Sequence, residues 1–217
     1  MEAIQNTLID ENKINEGVVY LQVTGGTAER SFLPGSRSPA TLIGFCQEMA
    51  ISSKETLAIG ISVATLADER WANRHLKTTM LLPQVQAKAA ARMRGCDEAW
   101  LIEKGFVTEG ASSTAFIVEH DGTVITRELS KSLLPGCTRQ AIFSVCEALN
   151  TKLVLKPFTP EQALRAREAF ITSASNPVTP VVSIDGKPVH DGQAGPVTLR
   201  IQQEYLDLAK AQLAKSA

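Results

Sequence analysis

The stretch that decides how this chain is interpreted spans residues 70–83 and reads RWANRHLKTTMLLP. A second stretch, VTEGASST, follows at residues 107–114. The first holds Lys77 in an apolar run, and the second holds Glu109 as an isolated acid among small residues. Such an amine can condense with an aldehyde, and such an acid can bind the ring nitrogen of a pyridine. Together they are the two groups that pyridoxal phosphate chemistry requires.

The ordinary alternative for Lys77 is a solvated surface charge, since lysines rarely lie buried. Its context favours a function, because Leu76 precedes it and an apolar run follows at residues 80–82. We expect its amine to lie against apolar surface, where desolvation favours the neutral form that a nucleophile needs. The periodicity places it at a strand end or in an entry loop.

Glu109 has a solvated turn carboxylate as its alternative interpretation. A carboxylate beside a pyridine nitrogen keeps that nitrogen protonated, so that the ring can accept electrons. Gly110 and Ala111 would let the backbone approach a flat ring, and the hydroxyls of Ser112 and Ser113 could bind a phosphate or a ring oxygen.

Three further places could bind an anion. Residues 134–139, LPGCTR, put a glycine turn and a threonine at a predicted helix start, where free N–H groups favour a phosphate. Residues 172–176, TSASN, end a predicted strand with small hydroxyl side chains. A helix cap and a polar turn are the common alternatives. Arg30 could bind a substrate carboxylate, although its spacing favours a surface ion pair with Glu29 or another acid.

The composition predicts a cytoplasmic protein that binds a small ligand. Lys and Arg number 22 against 23 for Asp and Glu, so the net charge of −1 gives no reason to expect nucleic acid or an anionic membrane. The start of the chain lacks the features of a signal peptide, and no apolar run is long enough to span a bilayer. The four cysteines show no disulfide pattern, and the three histidines are too dispersed for a metal site.

The pattern predicts an α/β chain of the α+β type with two domains, at residues 1–66 and 67–217. The first contains a strand over 18–23, a turn at Gly25 and Gly26, and a strand near 57–61. The second begins with a helix over 81–94 that carries Pro83 in its first turn and stops at Gly95. Further strands are predicted over 98–102, 114–118, 123–126, 152–155, 169–172 and 178–184, and helices over 138–149, 161–166 and 197–214. Asp121-Gly122 predicts a hairpin, so we expect an antiparallel-rich sheet or barrel with helices.

Taken together, these segments resemble the fold-type IV pyridoxal phosphate enzymes, most closely the D-amino acid transaminases, with branched-chain aminotransferases and aminodeoxychorismate lyases as relatives. The resemblance covers nearly the whole chain. It rests on residues 17–24, Arg30, Arg70-Trp71, residues 76–78, 107–113, 134–139 and 170–175, and on residues 178–182 leading to 184–186.

The resemblance implies a role for each candidate residue. Lys77 would form the internal aldimine and carry the proton between the substrate Cα and the cofactor, and Glu109 would pair with the ring nitrogen. Leu134 would pack on the ring. Arg30 would bind the substrate carboxylate. The phosphate and its surroundings would be held by Ser112, Ser113, Gly136, Cys137, Thr138, Ser173 and Ala174.

Three departures from the family pattern stand out. Phe32 replaces a histidine that helps to bind the substrate carboxylate, and phenylalanine cannot donate a hydrogen bond. Residues 111–114, ASST, replace Ser-Ser-Ser-Asn, a milder change. Relatives carry a segment before the first strand that adds an arginine to the phosphate and an aromatic residue to the substrate pocket. Nothing here matches it, so residues 1–66 are expected to be the remainder of a small domain.

The resemblance thus predicts a homodimeric transaminase that exchanges the amino group of a D-amino acid such as D-alanine with 2-oxoglutarate in a ping-pong cycle. Within the same fold, the alternatives are a branched-chain aminotransferase, which Phe32 would suit, and an aminodeoxychorismate lyase. The alternative from another class is an inactive cofactor-binding or partner protein that retained the fold.

Overall fold

A computed structural model describes residues 1–33, 39–49 and 59–216, with side chains through residue 212. The chain divides into two units, Met1–Ile51 and Ser52–Ala217. The first contains helix α1 (Glu2–Asn12) and the antiparallel strands β1 (Gly17–Thr24) and β2 (Thr41–Glu48). Strand β1 confirms the prediction over 18–23, whereas α1 and β2 were not predicted. The rings of Tyr20 and Phe45 stack at 4.9 Å across the strand pair.

The second unit is built on a nine-stranded sheet. Its strands are β3 (Ile61–Ala67), β4 (Glu98–Glu103), β5 (Phe106–Gly110), β6 (Thr114–Val118), β7 (Val124–Thr126), β8 (Leu153–Leu155), β9 (Glu168–Thr172), β10 (Thr179–Ile184) and β11 (Lys187–Pro188). The order across the sheet is β5-β4-β3-β10-β9-β6-β7-β8, and β11 pairs with β10. Strand β3 pairs in parallel with β4 and β10, and β7 with β8, while the other described pairs are antiparallel. The predicted antiparallel-rich sheet is confirmed.

The domain boundary expected after residue 66 falls inside β3. Both strands beside β3, namely β4 and β10, belong to the second unit, so the hydrogen bonding places all of β3 there. The strand expected near 57–61 lies partly outside the described residues, and the described strand begins at Ile61.

Strands β6 and β9 form the middle of the sheet, and every residue in them is buried. Because successive side chains of a strand point to opposite faces, Phe116 and Ile117 enter two different apolar clusters. Phe116 stacks on Phe170 of β9 at 4.6 Å, on the face covered by helices. On the other face, Ile117 packs in a cluster that includes Trp100 and Phe158. Because both faces are buried, the two strands are largely apolar in sequence and do not alternate between apolar and polar residues.

Four helices in the second unit match the predicted ones: α2 (Leu82–Met93), α3 (Cys137–Ala148), α4 (Pro160–Arg165) and α5 (Pro196–Ser216). Pro83 lies in the first turn of α2, and Gly95 follows its end with a φ of +73°, a conformation that glycine adopts readily. No helix in the described part of the chain combines the length and apolar character needed to span a bilayer.

Helix α5 begins at a buried carboxylate. Glu168, at the start of β9, accepts hydrogen bonds from the N–H groups of Val197 (3.0 Å) and Thr198 (2.7 Å). A Cβ atom at Gly195 would lie 2.0 Å from the Glu168 Cδ, so only glycine leaves room for this contact. Glu168 thereby fixes the start of α5 to strand β9 in the sheet.

Candidate functional site

Lys77 lies in the loop between β3 and α2, as the sequence predicted. Its side chain is exposed, and it forms no hydrogen bond or ion pair with any described residue. Leu76, Met80 and Leu81 are also exposed, by 51%, 49% and 52%. The expected contact of the amine with buried apolar surface is therefore not observed in this chain. The amine is accessible from solvent.

Glu109 lies in strand β5 rather than in a turn, and only 6% of its side chain is exposed. Its Oε1 accepts a hydrogen bond of 2.5 Å from the Arg70 Nη1. The N–H of Leu134 lies 3.1 Å from Oε1 and 3.2 Å from Oε2. Two predicted site residues, Glu109 and Leu134, are thus in direct contact. Oε2 keeps the capacity to accept a further hydrogen bond.

Arg70 belongs to a buried network of charges. Asp68, whose side chain is fully buried, accepts hydrogen bonds from Arg70 Nε at 2.9 Å and from Nη2 at 2.7 Å. Arg74 also pairs with Asp68, with 2.6 Å between Nη1 and Oδ2, and it pairs with Glu103 as well. The Thr108 hydroxyl lies 2.7 Å from Asp68 Oδ2. Each charge has a counter-charge, which burial demands.

Burial and neighbouring charges shift the pKa values of Asp68 and Glu109 in opposite directions. Burial of Asp68 favours its neutral form, but hydrogen bonds from Arg70 and Thr108 and the charges of both arginines outweigh it and lower its pKa to about 2. For Glu109, burial raises the pKa above its usual value, although the charge and hydrogen bond of Arg70 and the Leu134 N–H oppose the rise. Arg70 is therefore the main group that keeps Glu109 ionised.

Ser112 and Ser113 follow β5 and face a second acid. Their hydroxyls donate to Glu98 Oε2 at 3.0 and 3.4 Å, and the Lys88 amine lies 3.4 Å from the same oxygen. A Cβ atom at Gly110 would lie 2.0 Å from the Ser113 Oγ, so a larger residue at position 110 would displace the Ser113 side chain. Because each hydroxyl donates its proton to Glu98, neither proton is available to a phosphate in this arrangement.

The start of helix α3 offers main-chain donors. Gly136 is the N-cap residue and has no side chain to cap the helix. The N–H groups of Cys137, Thr138 and Arg139 find no acceptor among the described residues. The Thr138 hydroxyl donates to the main-chain oxygen of Ser173 at 3.1 Å, which joins the two predicted phosphate segments. Ala174, next to Ser173, is exposed.

These groups fit pyridoxal phosphate. The unpaired Lys77 amine can hold the aldehyde carbon, and Glu109 retains an oxygen that can accept a hydrogen bond from a protonated ring nitrogen. The uncapped start of α3 presents free N–H groups and the positive end of the helix dipole to a phosphate. Because the nearby hydroxyls are already used as donors, these backbone groups are the better phosphate ligands.

Arg30 and Phe32, the candidate substrate residues, lie in the first unit. The guanidinium carbon of Arg30 lies 5.1 Å from the centroid of the Phe32 ring, and 93% of Phe32 is exposed. The expected ion pair of Arg30 with Glu29 or another acid does not appear among the described contacts. Both side chains are open to solvent within their unit.

The sequence interpretation missed the residues that surround Glu109. Arg70 was part of the decisive stretch but received no role, and Asp68, Arg74 and Thr108 were not singled out. The signal was present in the charges at positions 68, 70 and 74 before an apolar run. Such charges usually indicate a solvated segment, so only their burial reveals the network.

A family model, amino-transferase class IV, matches residues 1–184. A D-alanine aminotransferase of Staphylococcus aureus (strain MSSA476) is 32% identical over 203 residues, covering 93% of this chain and 71% of that protein. The branched-chain amino acid aminotransferase of Escherichia coli has a TM-score of 0.84 at 25% identity, covering 94% of this chain and 69% of that one. A branched-chain amino acid aminotransferase from T.th. with pyridoxamine 5'-phosphate has a TM-score of 0.83 at 27% identity, covering 95% and 69%.

The family match extends over both units, and it includes the loop of Lys77, strand β5 and the start of α3. The chain therefore belongs to the class IV aminotransferases, which are transaminases that depend on pyridoxal phosphate.

Proposed function

We propose that this chain transfers the amino group of a D-amino acid such as D-alanine to 2-oxoglutarate in a ping-pong cycle. The observation that carries the proposal is the environment of Glu109. This buried acid contacts the Leu134 N–H and keeps one position free to accept a further hydrogen bond. In addition, the chain is 32% identical to a D-alanine aminotransferase. When bound, pyridoxal phosphate supplies an aldehyde and a ring that accepts an electron pair. The residues of the chain provide orientation and proton transfer.

In this proposal, the Lys77 amine would hold the aldehyde carbon of the cofactor and, once released by the incoming substrate, would carry the proton from the substrate Cα to the cofactor. Glu109 keeps a proton on the ring nitrogen. Leu134, fixed by its N–H contact with Glu109, packs on the ring. The phosphate is held by Gly136, Cys137 and Thr138 with Ser173 and Ala174, while Ser112 and Ser113 border it. Arg30 binds the substrate carboxylate.

The alternative substrate is a branched-chain L-amino acid. Phe32 favours this candidate, because its ring stands where the resemblance implies a hydrogen-bonding histidine. The solved structures reported above are branched-chain aminotransferases, which is consistent with the same candidate. An apolar ring would accommodate an apolar side chain better than it would assist a carboxylate.

One assay separates these candidates. Purified protein is incubated with pyridoxal phosphate, 2-oxoglutarate and either D-alanine or L-leucine, and the new keto acid is quantified. We expect pyruvate from D-alanine in the wild type and no product from Lys77→Ala. Lys156→Ala removes another exposed lysine and should retain full activity. Faster turnover of L-leucine would replace the D-amino acid proposal, and p-aminobenzoate from aminodeoxychorismate would indicate a lyase.

We also propose a cytoplasmic homodimer. The four cysteines are free thiols, as expected in a reducing compartment. The segment around Lys77 and the start of α2 exposes large apolar side chains, including Leu82 at 66% and Val85 at 60%. Contiguous exposed apolar surface is typical of a protein interface. A second copy of the chain would cover this surface.

A further inference from the structure

We propose that Arg70 is a positioning residue for Glu109, fixed in place by a two-point contact with Asp68. The inference rests on the proposed role of Glu109 at the cofactor ring. Arg70 uses its Nε and Nη2 on the two oxygens of Asp68 and its Nη1 on Glu109 Oε1. All three side chains are at most 6% exposed. A planar guanidinium held at two points has little freedom left, so its third nitrogen fixes the Glu109 carboxylate.

The ionised state of Glu109 depends on this contact. Burial favours the neutral acid, and a neutral acid cannot hold a proton on a neighbouring ring nitrogen. Three charged groups act on Glu109: Arg70, which it contacts, Asp68, whose negative charge opposes its ionisation, and Arg139 from helix α3. Of the two arginines, only Arg70 forms a hydrogen bond with Glu109. Its loss would therefore push Glu109 towards its neutral form.

Arg74 offers a matched control within the same network. It pairs with Asp68 and with Glu103, but it forms no hydrogen bond or ion pair with Glu109. Both arginines are buried to nearly the same degree. Loss of either removes one buried positive charge next to Asp68. A merely structural role of the network predicts similar effects for both, whereas positioning of Glu109 predicts an effect for Arg70 alone.

The first measurement follows Glu109 itself and requires no cofactor. The full-length protein is labelled with ¹³C at the glutamate carboxyl groups, and the Glu109 signal is assigned from its absence in Glu109→Gln. In Arg70→Gln, we expect Glu109 to take up its proton at higher pH than in the wild type. Arg74→Gln should titrate close to the wild type, and Arg70→Lys, which keeps the charge but loses the fork, should lie between them.

The second measurement titrates each variant with pyridoxal phosphate and follows the visible absorption of the bound cofactor. We expect the dissociation constant to rise about tenfold in Arg70→Gln, the consequence of one weakened charge-assisted hydrogen bond. Arg74→Gln should change little. An unchanged Glu109 titration in Arg70→Gln, or equal effects of Arg70→Gln and Arg74→Gln, would overturn the inference.

The two proposals fail in different ways. Identical cofactor spectra for the wild type and Lys77→Ala would end the proposed function, while the carboxyl titration would still report whether Arg70 controls Glu109. Thermal unfolding of each variant establishes which ones are folded. Should Arg70→Gln not fold, Arg70→Lys decides the question, and a Glu109 titration identical to the wild type in that variant contradicts the role assigned to the guanidinium fork.

Discussion

Asp68 shows how a single buried carboxylate can support two cations at once. Its oxygens contact Arg70 and Arg74, its side chain is fully buried, and its pKa is lowered to about 2. Replacing Asp68 leaves Arg70 paired with Glu109 and Arg74 paired with Glu103, but it removes the buried acid that both arginines share. The network therefore links the stability of the unit to the geometry around Glu109.

This arrangement predicts an acid sensitivity that Asp68→Asn removes. Because the folded protein holds the Asp68 pKa below the usual 3.8, the ionised carboxylate stabilises the fold above pH 4, and that stability is lost as the pH falls from about 4 to 2. We expect Asp68→Asn to lower the unfolding free energy by about 3 kcal/mol at neutral pH and to flatten its decline in this acid range.

Urea unfolding followed by tryptophan fluorescence at several pH values measures this effect, since Trp100 is fully buried in the same unit. Asp207→Asn, which changes an exposed acid on α5, should follow the wild-type curve throughout. Parallel pH curves for Asp68→Asn and the wild type would show that Asp68 does not carry the acid sensitivity.

At the scale of elements, the start of α5 depends on a contact with the sheet. The two Glu168 oxygens cap adjacent N–H groups, and Gly195 leaves space for them. A glutamine in place of Glu168 has one acceptor oxygen and no charge. It can satisfy only one of the two donors.

We expect Glu168→Gln to reduce the unfolding free energy by about 1–3 kcal/mol, because a buried donor loses its partner and the helix dipole loses its counter-charge. Glu161→Gln is the matched control, as that acid lies exposed in the first turn of α4. Its cost should stay within about 0.5 kcal/mol. Calorimetry of both variants tests this, and equal losses would contradict the assigned role of Glu168.

The elements that the sequence predicted are those whose own residues determine them. Strand β6 is an uninterrupted apolar and β-branched run, and α2 is bounded by a proline and a glycine. Strand β5 was missed because Thr108 and Glu109 look like turn residues, and they are buried only because Asp68 and Arg70 satisfy them from another segment. Helix α1 has no buried residue, so its pattern was weak.

In the candidate site as well, residues that are recognisable by their own type were predicted, whereas their tertiary partners were not. Lys77, Glu109 and the start of α3 were predicted because their residue types are specific to a chemistry. The partners of Glu109 and of Ser112 were not found, because their pairing depends on which strands meet in the sheet. Strand β5 pairs with β4 and carries Glu109 towards the loop that follows β3. Local sequence patterns do not report such tertiary contacts.

At the scale of the whole molecule, exposed apolar side chains concentrate around the proposed nucleophile. Leu76, Met80, Leu81, Leu82 and Val85 are each between 49% and 66% exposed and lie within ten residues of one another. The net charge of −1 gives little repulsion between copies. Both features favour self-association through this segment, which would also bring apolar surface close to Lys77 and supply the desolvation that one chain lacks.

We expect Leu82→Glu to weaken the proposed dimer, because it would bury an unpaired carboxylate in an apolar interface, at a cost of several kcal/mol. Light scattering after gel filtration should give twice the 23.4 kDa of one chain for the wild type and a mass approaching one chain for the variant at micromolar concentration.

Met93→Glu, at the far end of α2 and 89% exposed, is the control and should remain dimeric. A wild type that elutes with the mass of one chain would exclude the dimer, and a dimeric Leu82→Glu would place the interface on another face. Cofactor absorption recorded on the same fractions would then test whether association and the environment of Lys77 are coupled, since a surface that supplies desolvation must change both together.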